Sequence, residues 1–299
     1  MTDSQLTMTG RSWALLVLLS LLWGGSFLFV ELALRDLPPL TVVFGRVALA
    51  ALTLHLYVLL TGQRMPTDSK LWRAFFVMGL LNNLLPFTLI VWGQVYIEGG
   101  LASILNATTP IFTVVLAHFL TVDERMTPNK VAGVCLGLVG VTVLIGPEAL
   151  GGVGGNVFAQ LAVVAATICY ALAGIYGRRF KGVPTTFTAT GMLTATAVMM
   201  VPLVVGLEQP WHLRPDTSTV LAVLGLALLS TAAAYLIYFY VLLVAGATNV
   251  LLVTLLIPVS AVLLGVFILG ERLHWTAFVG MVLVLTGLLA VDGRVVRRF

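Results

Sequence analysis

The sequence predicts an all-α membrane protein with ten transmembrane helices, arranged as two inverted five-helix repeats. Sixty per cent of the 299 residues are apolar and 9% are charged, whereas an ordinary soluble domain has about 25% charged residues. Apolar runs of about 17–25 residues recur along the chain, and a helix of about 20 residues crosses the ~30 Å lipid core. The same order of motifs occurs in both halves of the chain, and this predicts the repeat.

Clusters of proline, glycine and charge separate the apolar runs and define the spans. The spans are predicted at residues 12–33, 39–60, 72–96, 101–121, 129–146, 156–177, 185–206, 218–241, 247–269 and 274–292. The connections between them are short and leave no soluble domain. The glycine-rich stretch from Gly146 to Gly155 is interpreted as a flexible connector between a first repeat, residues 12–146, and a second, residues 156–292.

The Lys and Arg residues of the loops predict the orientation of the chain, because cytoplasmic loops carry an excess of both. Twelve of these residues fall on the side that holds both termini, and three fall on the opposite side. We therefore expect a multi-pass protein of the cell (inner) membrane with its N- and C-termini in the cytoplasm.

The two halves share residues at an offset of about 147 positions. Two sets have identical spacing, namely Glu124-Arg125 with Gly133 and Gly140, and Glu271-Arg272 with Gly280 and Gly287. Four further pairs correspond: Trp23 with Tyr170, Gly79 with Gly225, Asn106 with Thr254, and Pro110 with Pro258. Since each half has an odd number of spans, the second copy enters the membrane from the opposite side. Inverted halves can open a midplane site to each side of the membrane in turn. The alternative interpretation of the repeat is a duplication that was retained only for stability.

The order and spacing of these motifs resemble an EamA domain of the drug/metabolite transporter (DMT) superfamily. The residues that carry the resemblance are Trp23-Gly24-x-Ser26-Phe27, Arg46 after Pro39, Pro110 followed by Glu124, Pro258, and Gly270-Glu271-Arg272. The second half departs from the first in having Gly191 where the first has Arg46. The resemblance covers residues 12–292 and implies a basket-shaped fold with a central cavity lined by spans 1–4 and 6–9. Family members carry amino acids, nucleotide sugars, phosphorylated sugars and cationic drugs, and bacterial amino-acid exporters are the branch we favour.

Polar and aromatic residues inside the spans are the candidates for substrate binding, because a polar group in a membrane needs a partner or a wet cavity. The candidate set is Trp23, Asn82, Asn83, Phe87, Gln94, Asn106, Tyr170, Tyr235 and Tyr238. At helical spacing, Asn83, Phe87 and Gln94 share one face of span three. We expect Asn83→Ala to lower transport and to leave the folded yield intact. For Asn106, a structural bond to a neighbouring backbone is the alternative.

Three prolines are candidate helix breaks: Pro86, Pro110 and Pro258. A proline inside a helix removes one backbone hydrogen bond and leaves a carbonyl group free. Breaks near the membrane midplane are typical of transporter binding sites.

The twelve acidic residues all lie away from the predicted midplane. Arg46, which lies within span two, is expected to pair with Glu31 near the same outer surface, either as a gate or as a static brace. The cavity is therefore expected to be uncharged, and such a cavity suits a zwitterion or a small amphipathic solute better than a dication. Export of cationic drugs or other toxic amphipathic compounds is the alternative function.

The sequence gives no indication of enzymatic chemistry or of a cofactor. It has no phosphate-binding G-x-x-x-x-G-K-[ST] motif, and its four histidines are scattered rather than clustered as in a membrane enzyme that acts on lipids. A small-solute channel would not need two exchanging halves. The expected partners are a small-molecule substrate and the lipid bilayer, without nucleic acid and without a metal ion, and the chain is expected to be a monomer or a homodimer.

Overall fold

The structure, a computed structural model, describes residues 8–145, 156–269 and 275–292, and all regular secondary structure in these ranges is helical. In the first half, α1 is Gly10–Ala33, α2 is Pro39–Leu60, α3 is Ser69–Gly93, α4 is Gly99–Leu120 and α5 is Pro128–Ile145. In the second half, α6 is Val157–Gly177, α7 is Thr185–Leu207, α8 is Thr217–Ala245, α9 consists of Ala247–Leu251 and Val253–Leu269, and α10 is Trp275–Asp292. The connector Gly146 to Gly155 and the motif Gly270-Glu271-Arg272 lie outside the described residues.

Seven of these helices are long and apolar enough to cross a membrane: α1, α2, α3, α4, α6, α7 and α8. The apolar parts of α5, α9 and α10 that the structure describes are shorter. Large apolar side chains cover the outside of the bundle, as shown by Leu60, Phe119 and Phe158, which are 78%, 75% and 79% exposed. Such a surface is stable in hydrocarbon and unfavourable in water, so the prediction of an all-α membrane protein is confirmed.

Short polar residues and prolines begin several of the helices. The carboxylate of Asp68 accepts hydrogen bonds from backbone N–H groups in the first turn of α3, and that of Asp216 does the same for α8. Both are N-caps, which satisfy N–H groups that have no partner within the helix. The two aspartates are 148 residues apart, so they begin equivalent helices of the two halves. Pro39, which lacks an N–H group, is the first residue of α2.

Two π-helical turns interrupt the long helices α3 and α8. The turn in α3 is Leu80–Leu84 and the turn in α8 is Leu228–Ala233, again 148 residues apart. Pro86 follows the first turn, whereas Ala234 begins the helix after the second. The α8 turn therefore forms without a nearby proline. Such π-turns are often found at functional sites.

The other two candidate breaks differ from each other. In α4 the helix is interrupted between Asn106 and Thr109, directly before Pro110. In α9 the interruption falls at Leu252, six residues before Pro258, which lies inside a continuous helix. Proline position alone therefore locates the break in α4 but not that in α9.

The contacts between helices have the same pattern when the two halves are exchanged. Helix α1 packs on α8 and α9, and its counterpart α6 packs on α3 and α4. Helix α2 packs on α8, and its counterpart α7 packs on α3. Helix α2 also contacts its own counterpart α7, and α5 contacts its own counterpart α10, so these two contacts are unchanged when the halves are exchanged. All of these contacts join one half to the other.

Glycines bring α5 and α10 into backbone contact. A methyl group placed on Gly133 would lie 2.6 Å from the carbonyl oxygen of Gly287, and one placed on Gly140 would lie 2.6 Å from the backbone nitrogen of Val284 and 2.9 Å from the carbonyl oxygen of Gly280. The early residue of α5 meets the late residue of α10, so the two helices are antiparallel. Small residues allow this close approach of helices in membranes. The small residues Gly133 and Gly140 of α5 therefore pack against another helix of the same chain.

Carboxylates also join the halves at helix ends. Glu208, after α7, accepts hydrogen bonds from the backbone N–H groups of Leu40 and Thr41 in α2 at 2.9 and 2.6 Å. Glu124, after α4, accepts from Ala247 and Thr248 in α9 at 2.9 and 2.7 Å. Anionic groups are stabilised at helix N-termini, where N–H groups have no partner within the helix.

Candidate functional site

A cavity of about 60 Å³ lies between the two halves of the bundle. Helices α1, α2, α3 and α4 of the first half and α6, α8 and α9 of the second contribute side chains to its wall. Eight of the nine candidate substrate-binding residues line it: Trp23, Asn82, Phe87, Gln94, Asn106, Tyr170, Tyr235 and Tyr238. Since one water molecule needs roughly 10–15 Å³, the cavity has room for about five waters or a small organic solute.

Trp23 and Tyr170, which correspond in the two halves, both line the cavity. The indole nitrogen of Trp23 donates a 3.0 Å hydrogen bond to the carbonyl oxygen of Ser230 in the π-turn of α8. The hydroxyl of Ser230 in turn donates to the carbonyl oxygen of Leu22 at 2.6 Å. These reciprocal bonds fix α1 against α8 beside the cavity.

Three aromatic rings form a contiguous part of the wall. The ring centres of Trp23 and Tyr235 are 6.2 Å apart, those of Trp23 and Tyr238 are 5.8 Å apart, and those of Tyr235 and Tyr238 are 5.9 Å apart. These separations are in the range of favourable aromatic pairs. A wall of mutually packed rings holds its shape with little conformational freedom.

Asn82 and Asn83 were both candidates for substrate binding, but the structure places only Asn82 in the cavity wall. Asn82 lines the cavity, whereas Asn83 is fully buried behind it. The side-chain nitrogen of Asn83 donates to Thr196 Oγ1 at 3.1 Å, and its side-chain oxygen accepts from the hydroxyl of Tyr235. The cause is the π-turn, in which residues five apart fall on one face. Asn82 therefore shares the face of Phe87, and α-helical spacing assigned that position to Asn83.

Pro86 frees the carbonyl group four residues before it, that of Asn82. This carbonyl oxygen accepts a 3.3 Å hydrogen bond from the hydroxyl of Tyr235. The α3 helix break is thus satisfied by a side chain of the opposite half, at the wall of the cavity.

The predicted ion pair between Glu31 and Arg46 is not formed. Glu31 is exposed, and the buried Arg46 lines the cavity. The Nε of Arg46 donates to Thr231 Oγ1 at 2.7 Å, and one terminal nitrogen donates to the carbonyl oxygen of Ser230 at 3.3 Å. The π-turn of α8 places both acceptors within reach of α2, and this draws the guanidinium inward instead of toward the outer end of α1.

The sequence predicted an uncharged cavity, and this prediction is wrong. Among the described residues that line it, Arg46 carries a positive charge and none is acidic. The guanidinium carbon lies 3.8 Å from the centre of the Phe87 ring, a cation–π contact that offsets part of the cost of burial. The wall consequently favours a solute that brings a negative group.

Three buried polar atoms of the wall have no hydrogen-bond partner among the described residues: Gln94 Oε1, Asn106 Oδ1 and the hydroxyl oxygen of Tyr238. A buried polar atom without a partner costs about 1–3 kcal/mol. All three belong to residues that line the cavity, so a polar solute can satisfy them. The rest of the wall is mainly apolar, with Phe27 and Ile90 among its members.

The sequence interpretation missed several members of the site. Ser26, Leu251, Thr254 and Ile257 also line the cavity. Thr254 corresponds to Asn106 in the repeat, and that correspondence could have identified it. The apolar residues give no such signal, because any apolar residue of a membrane helix can face lipid, protein or cavity.

Comparison with protein families finds two consecutive matches along the chain. A model described as the EamA-like transporter family matches residues 11–146 and residues 157–291. Together the two matches span nearly all of the sequence.

Curated relatives match over most of their length. The chain is 26% identical over 290 residues to the "Probable amino-acid metabolite efflux pump" of Escherichia coli, with 94% of each chain covered. It is 24% identical to the "Uncharacterized transporter YoaV" of Bacillus subtilis, with 91% of this chain and 94% of that protein covered. It is 27% identical to the "Uncharacterized inner membrane transporter YedA" of Escherichia coli, with 87% and 84% covered.

A solved structure has the same fold. Its TM-score with this chain is 0.78 at 20% identity, with 97% of this chain and 99% of the solved chain covered. Similarity at this level of identity concerns the arrangement of the helices alone.

Proposed function

Because the chain belongs to the EamA-like transporter family, we propose that it moves amino acids or related metabolites through the cavity between its two halves. Family membership makes the chain an integral membrane transporter and not an enzyme. The observation that carries the proposed route is the cavity itself, which is lined from both halves and contains polar atoms that have no partner in the described parts of the chain. A transport site needs such groups, because they bind a solute and release it again.

The composition of the cavity wall supports an amino acid as the solute. The wall combines one cationic group, three carboxamides and three phenols with apolar surface, and an amino acid presents complementary charged, polar and apolar parts. The relative from Escherichia coli that is named a probable amino-acid metabolite efflux pump covers 94% of this chain. A cationic drug is disfavoured, because its charge would enter a cavity that already holds Arg46.

The proposed mechanism is alternating access by two inverted repeats, residues 12–146 and 156–292. The self-symmetric pattern of helix contacts supports this mechanism, and so does the antiparallel packing of α5 against its counterpart α10. Two halves of similar structure can exchange their conformations, which would open the cavity first to one side of the membrane and then to the other. The ten helices would then all cross the bilayer.

The proposed orientation places both termini in the cytoplasm. It rests on the excess of Lys and Arg on one side of the bundle. One relative is named an inner membrane transporter, and we propose the same location here. Reporter fusions at residue 299 and in the loop between α7 and α8 would test the orientation, and a periplasmic C-terminal reporter would contradict it.

Uptake by purified protein in liposomes tests the transport proposal. We expect labelled leucine to enter with a rate that saturates, and to enter faster when the liposomes are preloaded with unlabelled leucine. This acceleration is the behaviour of a carrier whose site faces one side at a time, and liposomes without protein provide the blank. Uptake that rises linearly with concentration and ignores preloading would identify a channel instead.

The same liposomes distinguish the rival substrate class. A lipophilic cation such as tetraphenylphosphonium would be transported if the chain exported cationic drugs. We expect no protein-dependent movement of this cation. Its transport, together with failure of every amino acid tested, would contradict the proposed substrate.

A further inference from the structure

Arg46 is a buried cation that the protein leaves only partly satisfied. A guanidinium group has five N–H donors, and the two side-chain hydrogen bonds that Arg46 donates among the described residues go to Thr231 and Ser230. The ion pairs found among the described residues join Arg178 to Asp123 and Glu124 and do not involve Arg46. Arg46 therefore has donors left over, and none of the described residues that line the cavity is acidic.

A buried charge is unfavourable unless an opposite charge accompanies it. The ring of Phe87 stacks on the guanidinium group at 3.8 Å, and stacking covers a face of the group while its N–H donors lie in the plane. A carboxylate matches this geometry, because its two oxygens can accept two parallel hydrogen bonds from one guanidinium group. The position of Arg46 in the cavity wall allows a solute to supply that carboxylate.

We propose that Arg46 binds the carboxylate of the transported solute, while the side-chain oxygens of Gln94 and Asn106 accept hydrogen bonds from its ammonium group. This inference rests on the proposal that the cavity is the transport site. Gln94 Oε1 and Asn106 Oδ1 are buried acceptors without partners among the described residues. They are neutral, so the ammonium group gains hydrogen bonds without a counter-charge, and the carboxylate is the group that the site requires.

The apolar part of the wall specifies the rest of the solute. Phe27, Ile90, Leu251 and Ile257 line the cavity together with Arg46, and they suit an aliphatic side chain. The substrate class is therefore an α-amino acid with an apolar side chain. A carboxylic acid without an amino group keeps its contact with Arg46 and should still bind. An amine without a carboxyl group brings a second positive charge next to Arg46 and should bind poorly.

Three compounds that share the isobutyl side chain of leucine test this order. Leucine has both charged groups, 4-methylpentanoate lacks the ammonium group, and isopentylamine lacks the carboxylate. We expect unlabelled leucine and 4-methylpentanoate to inhibit uptake of labelled leucine, and isopentylamine to need at least a ~30-fold higher concentration. Inhibition by isopentylamine at the concentration that suffices for 4-methylpentanoate would overturn the inference without any variant.

Substitutions of Arg46 give the second test. Arg46→Gln should lower leucine uptake at low concentration by about 30-fold or more and abolish inhibition by 4-methylpentanoate. Arg46→Lys retains the charge but not the two-pronged geometry, and should recover part of both. Thr231→Val removes a protein acceptor of Arg46 and keeps the charge, so it should keep the preference for carboxylates over amines. Wild-type uptake by Arg46→Gln would overturn the inference.

Ligand-induced thermal stabilisation of the detergent-purified protein separates this inference from the proposed function. If 4-methylpentanoate raises the melting temperature of the wild type but not of Arg46→Gln, and no amino acid is transported, the carboxylate site stands and the transport proposal fails. If leucine is transported equally with and without Arg46, the transport proposal stands and the carboxylate site fails.

Discussion

The backbone carbonyl oxygens of Asn82 and Ser230 occupy equivalent positions in the two halves, 148 residues apart. Each lies in a π-turn and accepts a hydrogen bond from an aromatic side chain of the opposite half. Tyr235 donates to Asn82 at 3.3 Å, and Trp23 donates to Ser230 at 3.0 Å. Each π-turn is thus stabilised by a hydrogen bond from the opposite half, so the packing of the halves determines the geometry of the site.

Tyr235 and Tyr238 provide a matched pair of variants for this link. Both tyrosines are almost fully buried, but Tyr235 donates to Asn82 and Asn83 whereas the hydroxyl of Tyr238 has no partner among the described residues. We expect Tyr235→Phe to lower the free energy of unfolding by about 1–3 kcal/mol, because buried acceptors lose their donor. Tyr238→Phe should cause no loss of stability and should lower transport.

Thermal unfolding in detergent and uptake in liposomes measure the two effects separately. The prediction would fail if the two variants unfolded at the same temperature, since the Tyr235 hydrogen bonds would then contribute nothing.

Asn83 and Asn106 form a second matched pair, and here the structure changes the expectation drawn from the sequence. Asn83 bonds to Thr196 and Tyr235 behind the wall, so Asn83→Ala should destabilise the protein by about 1–3 kcal/mol and lower the folded yield. Asn106 lines the cavity, and its side-chain oxygen has no partner within residues 8–145, 156–269 and 275–292. Asn106→Ala should leave the yield near that of the wild type and slow leucine uptake.

Fluorescence-detected size-exclusion chromatography gives the yield of each asparagine variant. Normal yield with slow transport for Asn83→Ala would restore the original expectation and contradict the structural role.

Gly133 tests the contact between α5 and α10. Gly133→Ala forces a methyl group within 2.6 Å of the Gly287 carbonyl oxygen and 2.9 Å of the Val291 nitrogen. Overpacking of this kind costs about 1–3 kcal/mol, and we expect a lower melting temperature. Gly206→Ala in α7 is the control, because no atom of the residues that the structure describes lies within 4 Å of the added methyl group. Equal melting temperatures for the two variants would show that α5 and α10 are not in backbone contact.

The sequence predicted the parts of this molecule that depend on composition and spacing. Helices α3 and α8 begin at Ser69 and Thr217, within three residues of the span starts predicted at 72 and 218, and the pairing of Trp23 with Tyr170 placed both in one wall. Equivalent positions in a repeat face equivalent environments, so pairs of corresponding residues in the sequence predict which side chains line the same site.

The errors at Asn83 and Arg46 have one physical source, the two π-turns. The turn in α3 adds a residue to one helical turn, so Asn82 shares the face of Phe87 and Asn83 lies behind the cavity wall. The turn in α8 presents Thr231 and Ser230 to Arg46, whereas spacing along the chain suggested Glu31. Nothing in the sequence near Leu228–Ala233 marks a π-turn, because it contains neither proline nor glycine. Its repeat relationship to the turn beside Pro86 is the signal that could have revealed it.

Asp123 gives a prediction that depends on pH. It forms an exposed ion pair with Arg178, and the hydrogen bond from that guanidinium lowers the pKa of the Asp123 carboxyl group below its usual value. A group whose pKa is lower in the folded state stabilises the fold at any pH above its unfolded pKa of about 3.9. That contribution is lost as the pH falls through the lowered pKa, because the carboxylate is then protonated in both states.

Thermal unfolding of the wild type and of Asp123→Asn at pH 7, 5 and 3 tests this dependence. The difference in stability between the two proteins should be equal at pH 7 and pH 5 and smaller at pH 3. Since the pair is exposed to solvent, the gap at pH 7 should stay below about 1 kcal/mol, and a gap that widened toward pH 3 would contradict the assignment.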